Sequence, residues 1–352
     1  MLLIDSHLDL AMNAVAWNRN LRLDVQTIRD GEGGMNGKGR GRGTVALPEM
    51  RRAELAVCVA TVISRTARPG SPASGVAHQE ISYAIAQGHL AYYRVLEESG
   101  VVRLIGDAPT LNDHLQDWKK RGAQAPLGFI IGMEGADPIV EPRQVEKWWR
   151  DGLRVVSLSH YGISAYAHGT GTRGGLTPAG TELLATMENT GLILDLTHLA
   201  DEAFWQALER FSGPVLASHN NCRALVPGER QYSDDQIRAL ASRGGVMGVA
   251  LDAWMLYPGW EIGSTSPQVV SLEAVAAQLD HICQVTGDSR HAAIGSDLDG
   301  GYGTEQTPHD LDTIADLQTV PGLLQARGYT EADCAGIMHG NWHRFFREAW
   351  GG

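Results

Sequence analysis

Apolar positions along the chain gather into eight short runs: residues 2–10 (LLIDSHLDL), 55–63 (LAVCVATVI), 127–135 (LGFIIGMEG), 153–160 (LRVVSLSH), 192–198 (LILDLTH), 215–220 (VLASHN), 244–251 (GGVMGVAL) and 291–300 (HAAIGSDLDG). Near-continuous Val, Ile and Leu over this length predicts parallel strands covered on both faces. Between most runs lie amphipathic stretches such as HQEISYAIAQGHLAYYRVLEESG, PAGTELLATMENTG and LEAVAAQLDHICQVTG. Several open near Asp, Ser or Thr and close on Gly, as helix boundaries prefer. Eight strands in a β-then-α rhythm predict an α/β fold of the (β/α)8 (TIM) barrel type. A doubly wound open sheet is the competing arrangement, but its GxGxxG turn after the first strand is missing. The expectation is one barrel domain over residues 1–352, with closing helices at 330–350.

Two segments break the rhythm. DGEGGMNGKGRGRGTVALPEM (30–50) is too rich in glycine to order as a helix. It predicts a flexible loop, over 30–46, on the catalytic side of a barrel, either a lid or simply disordered. VVRLIGDAPTLNDHLQDWKKRG predicts a helical or small-strand insertion before the third run.

Polar residues inside the apolar runs carry the chemistry. Asp5, His7 and Asp9 alternate in the first run and so share one strand face. Three ionisable groups on a buried face require compensation, which an exposed edge, a metal or a catalytic site would supply. The other runs end in the same manner, with Glu134, His160, His198, His219 and the pair Asp297 and Asp299. A single strand-end histidine is most simply a core group bonded to a carbonyl. Four of them with several carboxylates, at the ends that a barrel brings to one face, form a constellation. Imidazoles and carboxylates without thiolates suit zinc, manganese, iron or another divalent transition metal. No lysine stands at a run's end, so a carbamylated-lysine bridge between two metals is disfavoured.

Composition narrows the partners. A net charge of -12 argues against a nucleic-acid surface. Cys58, Cys222, Cys283 and Cys334 are far apart, indicating neither a thiolate metal site nor a disulfide framework. With no signal-like start and no apolar stretch of membrane length, the expectation is a cytoplasmic protein without a membrane partner.

The run of motifs resembles the renal (membrane) dipeptidase family of the amidohydrolase superfamily over nearly the whole chain. The resemblance rests on the opening D-x-H-x-D, GMEGADPI, VVSLSH, GGLTPAGTELLATMENTGLILDLTHLADEAF, ASHNNCRAL, GERQYSDDQIRAL and IGSDLDG. It implies a metallo-dipeptidase with two divalent ions, zinc by family expectation, and a small dipeptide substrate, L-D dipeptides included. His7 and Asp9 would bind one ion, His198 and His219 the other, and Glu134 would bridge them, with a hydroxide between the ions as nucleophile. Asp297 would serve as acid/base, His160 would contact the scissile carbonyl oxygen, and Arg230 would grip the substrate carboxylate. A homodimer is also implied. The chain departs from the family at Asp137, where a neutral or imidazole group is expected, and in the glycine-rich segment. Asp5 lies deeper than the ligands and is expected to support them, and Asp299 is expected to brace the loop. Another superfamily hydrolase, such as an N-acyl amino-acid deacylase or lactonase, and a non-catalytic metal-binding scaffold stay open as alternatives.

Overall fold

The first apolar run forms strand β1 (Leu3–Leu8), buried along its whole length. In the computed structural model, which describes residues 1–352, the chain adds β2 (Leu55–Ile63), β3 (Val102–Leu104), β4 (Leu127–Glu134), β5 (Leu153–Ser157), β6 (Ile193–Asp195), β7 (Val215–Leu216), β8 (Met247–Val249) and β9 (Ala292–Ile294). All pairings are parallel, in the order β1-β2-β4-β5-β6-β7, with β8 beside β9. A bridge from Ala217 to Met247 joins β7 to β8. Ser6 Oγ to the Ile294 carbonyl (3.2 Å) and Asp297 N to the His7 carbonyl (3.3 Å) join β9 to β1. The ring of eight is the (β/α)8 barrel. The extra strand β3 comes from the insertion before β4. It pairs with Leu127–Phe129 on the edge that β5 occupies from Ile131 onward.

Several strands are shorter than the apolar runs predict. The run at 192–198 forms a strand only to Asp195, 215–220 only to Leu216, and 291–300 only over Ala292–Ile294. The cause is local: carboxylates take over backbone donors that would otherwise continue the ladder. Asp195 Oδ1 accepts from Thr197 N and Ser218 N, both at 3.0 Å. Asp5 Oδ1 accepts from His7 N (3.1 Å) and Ser296 N (2.9 Å), which ties β1 to the end of β9. Asp5 thus supports the neighbouring residues, as its depth implied.

Helices cover the barrel. The longest spans Gln79–Glu98, and helix Pro178–Thr190 is opened by the Thr177 side chain and closed by Gly191 in the left-handed region. Trp148 and Trp342 are fully buried between helices and barrel, and all four cysteines are buried free thiols. No helix is long and apolar enough to cross a membrane.

His89 faces the barrel from the longest helix and is 2% exposed. Its Nδ1 accepts from Ile63 N at 3.3 Å, and burial lowers its pKa to about 4. The unfolded chain takes up this proton near 6.5, the folded chain only near 4. Stability from the neutral imidazole is therefore complete above about 6.5 and is lost as pH falls toward 4. His89→Gln, which has no proton to take up, is expected to flatten the stability profile between pH 6.5 and 4 in denaturant titrations, by up to about 3 kcal/mol. An unaltered profile would refute this account.

The glycine-rich segment is the main departure from expectation. It is not a free loop in this structure but is tied down by polar contacts, and its Lys38 reaches the barrel's main cleft. Glu32 takes both guanidinium donors of Arg19 (2.8 and 2.9 Å), Arg40 Nη1 (2.8 Å) and Gly41 N (2.7 Å). Asp299 accepts from Thr44 N (2.7 Å), Thr44 Oγ1 (2.8 Å), Val45 N (3.1 Å) and Arg19 Nη1 (3.2 Å). Composition alone hides these charge pairs, which compensate for the backbone freedom of glycine.

Candidate active site

The turns that follow the shortened strands carry the polar residues into the mouth of the barrel. His198 (φ +69°) and Asp297 (φ +57°) both adopt the left-handed backbone region. Non-glycine residues are held there only when their surroundings enforce it, and such residues concentrate at functional sites.

Glu134, at the end of β4, is the hub. Its Oε1 lies 3.5 Å from His7 Nε2, 3.6 Å from His160 Nε2, 3.2 Å from His198 Nε2 and 3.3 Å from His219 Nε2. His7 Nε2 also lies 3.9 Å from Asp9 and 3.8 Å from Asp297. Arg230 Nη2 is 3.4 Å from His198 Nε2 and donates to the His219 carbonyl at 2.8 Å. All eight residues named from the sequence therefore meet at one site.

Supporting groups hold these side chains. Thr61 donates to Asp9. Ser218 Oγ stands 2.9 Å from His219 Nδ1 and 2.5 Å from Asp195 Oδ2, and Thr170 Oγ1 stands 2.9 Å from His198 Nδ1. Arg230 sits on a loop that a bridge between Cys222 and Tyr232 closes, which explains how a loop arginine becomes 4% exposed.

Burial dominates the electrostatics. It lowers His7 to a pKa of about 3 and holds His160, His198 and His219 well below the ordinary imidazole value, so the rings are neutral. Burial, reinforced by the neighbouring Asp9, pushes Glu134 and Asp297 well above the usual carboxylate range, and burial raises Asp9 to about 6. Neutral imidazoles crowded around carboxylates that burial alone destabilises are the environment a cation reverses.

The donor set fits a divalent metal. His7 Nε2 is buried without a hydrogen-bond partner. Two ligands at about 2.0–2.1 Å from a tetrahedral ion lie roughly 3.3 Å apart, and the contacts of Glu134 with His198 and His219 match that spacing. Three groups of donor atoms each lie within 4.8 Å of one another: His7, Glu134 and His219; Glu134, His160 and His198; His7, Asp9 and Asp297. The site opens into a cleft of about 830 Å³ whose floor includes Asp9, Glu134, His198, Arg230 and Asp297. Met12, Ile63, Trp254, Met255 and Ile262 line its walls.

A family model described as membrane dipeptidase (peptidase family M19) matches residues 1–350. The chain belongs to the membrane dipeptidase family. That family consists of metal-dependent dipeptidases, hydrolases of peptide bonds. An uncharacterized protein of Klebsiella pneumoniae, from the pqqA 5' region, is 28% identical over 235 residues, 64% of this chain and 83% of that one. Dipeptidase 3 of Rattus norvegicus is 28% identical over 63% of this chain and 45% of its own. An uncharacterized dipeptidase of Schizosaccharomyces pombe is 27% identical over 66% and 56%. The chain thus spans about half the length of most curated relatives it matches. Among solved structures, a metallopeptidase of Rhodobacter sphaeroides liganded with a phosphinate mimic of L-Ala-D-Ala superposes with a TM-score of 0.80. It has 22% identity and 99% coverage of each chain. A family M19 dipeptidase superposes with a TM-score of 0.81 and 22% identity, covering 100% of this chain and 99% of that one. At these identities the likeness concerns the fold alone.

Five residues near the site escaped the sequence reading: Thr61, Thr170, Asp195, Ser218 and Arg65. Asp195 carried a signal, an acid inside a buried apolar run. The other four carried none. Asp137, where the resemblance implies a neutral or imidazole group, makes structural contacts: its Oδ2 takes Thr66 N and Thr66 Oγ1, both at 2.8 Å, and its Oδ1 takes Ala165 N at 2.8 Å.

Proposed function

We propose that this protein is a binuclear metal-dependent dipeptidase acting on small dipeptides with a free C-terminal carboxylate, L-D dipeptides among them. The observation that carries the reading is the convergence of four imidazole nitrogens on one oxygen of Glu134, with Asp297 and Arg230 on the same cleft. His7 and Asp9 would hold one ion, His198 and His219 a second, and Glu134 both, with zinc the family expectation. Such ions supply a water of lowered pKa as nucleophile and polarise the scissile carbonyl. Asp297 takes the proton of the attacking water and delivers it to the leaving amine. His160 donates a hydrogen bond to the oxygen on which negative charge develops. Arg230 receives the substrate carboxylate in its guanidinium fork and so fixes which bond lies over Glu134. The cleft wall of Met12, Ile63 and Trp254 takes up apolar side chains and keeps bulk water from the reacting bond.

The test is a substrate screen with metal-reconstituted protein: L-L and L-D dipeptides against N-acyl amino acids. Dipeptide hydrolysis that is abolished by a chelator and restored by zinc is expected. Turnover of acyl amino acids without any dipeptide hydrolysis would refute the reading and favour a deacylase.

A further inference from the structure

Of the four histidines that approach Glu134 through Nε2, His160, His198 and His219 each have a group behind the ring that decides what that nitrogen can do. A neutral imidazole carries one N–H and one lone pair, so the partner of Nδ1 fixes the state of Nε2. Behind His219, the Ser218 hydroxyl donates to Asp195 Oδ2 at 2.5 Å and is left to accept from Nδ1–H at 2.9 Å. Behind His198, the Thr170 hydroxyl donates to the His198 carbonyl at 3.3 Å and accepts from Nδ1–H at 2.9 Å. Both rings therefore present an Nε2 lone pair, the form that ligates a metal.

His160 is wired the opposite way. Arg65 Nη1 lies 2.6 Å from His160 Nδ1. A guanidinium has donors only, so Nδ1 must accept and the ring proton must sit on Nε2, facing the cleft. Arg65 is itself anchored. Its Nε donates to the Ser74 carbonyl at 2.7 Å, and the adjoining Thr66 is bound through backbone and side chain to the buried Asp137. Asp137 also binds Ala165 N, joining the segment after β2 to the loop after β5 that follows His160.

We propose that Arg65 is a positioning residue that fixes His160 as the Nε2–H tautomer, making that ring a hydrogen-bond donor to the substrate's carbonyl oxygen and excluding it from the metal ligands. The same assignment gives Asp137 the task of holding the Arg65 segment. The inference rests on the role proposed for His160 and adds the device that enforces it.

The test is a double-mutant cycle on metal-loaded protein with R65M, H160A and the double variant, read by dipeptide kinetics and inhibition by a phosphinate dipeptide. R65M is expected to lower kcat by about 10- to 100-fold, as loss of an oxyanion donor does, at nearly constant KM. It is expected to weaken phosphinate binding by a similar factor, and to add nothing once His160 is alanine. Metal content is expected to equal that of the wild type in all three. Independently of how R65M folds, ¹⁵N spectra of the zinc-loaded wild type, with His160 assigned by its loss in H160A, are expected to show an unprotonated Nδ1 and a protonated Nε2. The reverse tautomer overturns the proposal. So does a double variant that loses the product of both single effects, or an R65M effect confined to KM, either of which makes Arg65 a direct substrate contact. H160A with full turnover overturns both the proposal and the role of His160, whereas a failed coupling leaves that role intact.

Discussion

Asp297→Asn is expected to lower dipeptide turnover by about 10²- to 10⁴-fold while the protein keeps its metal. The substitution preserves shape, so the turn after β9 should survive. That turn is held by the Asp297 backbone N–H on the His7 carbonyl and by Ser296 on Asp5, neither of which involves the Asp297 side chain. What changes is proton traffic. Burial first, then the charge of Asp9, raises the Asp297 carboxyl above its ordinary range. A carboxyl of raised pKa is suited both to accept a proton from water and to release it to an amine. An amide does neither. Asp297 also stands 3.8 Å from His7 Nε2 and joins a compact donor group with His7 and Asp9, so it has a rival role as a ligand. Metal analysis separates the two: a ligand's loss would lower metal content together with turnover, whereas the acid/base assignment requires turnover alone to fall. A variant that keeps near-wild-type turnover would refute both.

The difference between what the sequence disclosed and what it concealed has a physical pattern. His7, Glu134 and Asp297 were legible because each interrupts or ends a run that is otherwise apolar, and a barrel carries all such ends to one face. His198 and His219 were legible for the same reason, although they stand three residues beyond their strands. The groups behind the histidines were not. Thr170 and Arg65 lie in loops without periodicity, and their value depends on which loops meet, a question of tertiary packing. Ser218 is an ordinary residue until Asp195 is found 2.5 Å away. The glycine-rich segment failed in the opposite direction, since its composition predicts freedom. Glu32 and Asp299 remove that freedom: Glu32 gathers Arg19, Arg40 and Gly41 from the flanking turns, and Asp299 reaches Thr44 across 255 positions. Local composition bounds what a segment can do alone, and long-range ion pairs then decide what it does.

The second large effect is expected at Arg230. Its guanidinium is 4% exposed, and one end is fixed by Nη2 on the His219 carbonyl. Nε and Nη1 are buried without partners. Unpaired buried donors on a cation are costly, and a carboxylate that enters the cleft can pair with Nη1 and the second N–H of Nη2 along one edge of the guanidinium. Arg230→Ala is therefore expected to reduce kcat/KM for dipeptides with a free C-terminal carboxylate by about 10²-fold or more, the cost of breaking a buried charged hydrogen-bonded pair. The same variant should lose little against C-terminally amidated dipeptides, which present no carboxylate and should already be poor substrates of the wild type. Arg230→Lys is expected to fall between them, because an ammonium supplies charge without the planar fork. The unliganded protein should lose no stability on Arg230→Ala beyond the single bond to His219, since the substitution also removes a buried unpaired charge. Equal losses for free and amidated substrates would place Arg230 in support of His198 and His219 instead, and unchanged kinetics for both would remove it from the site's chemistry.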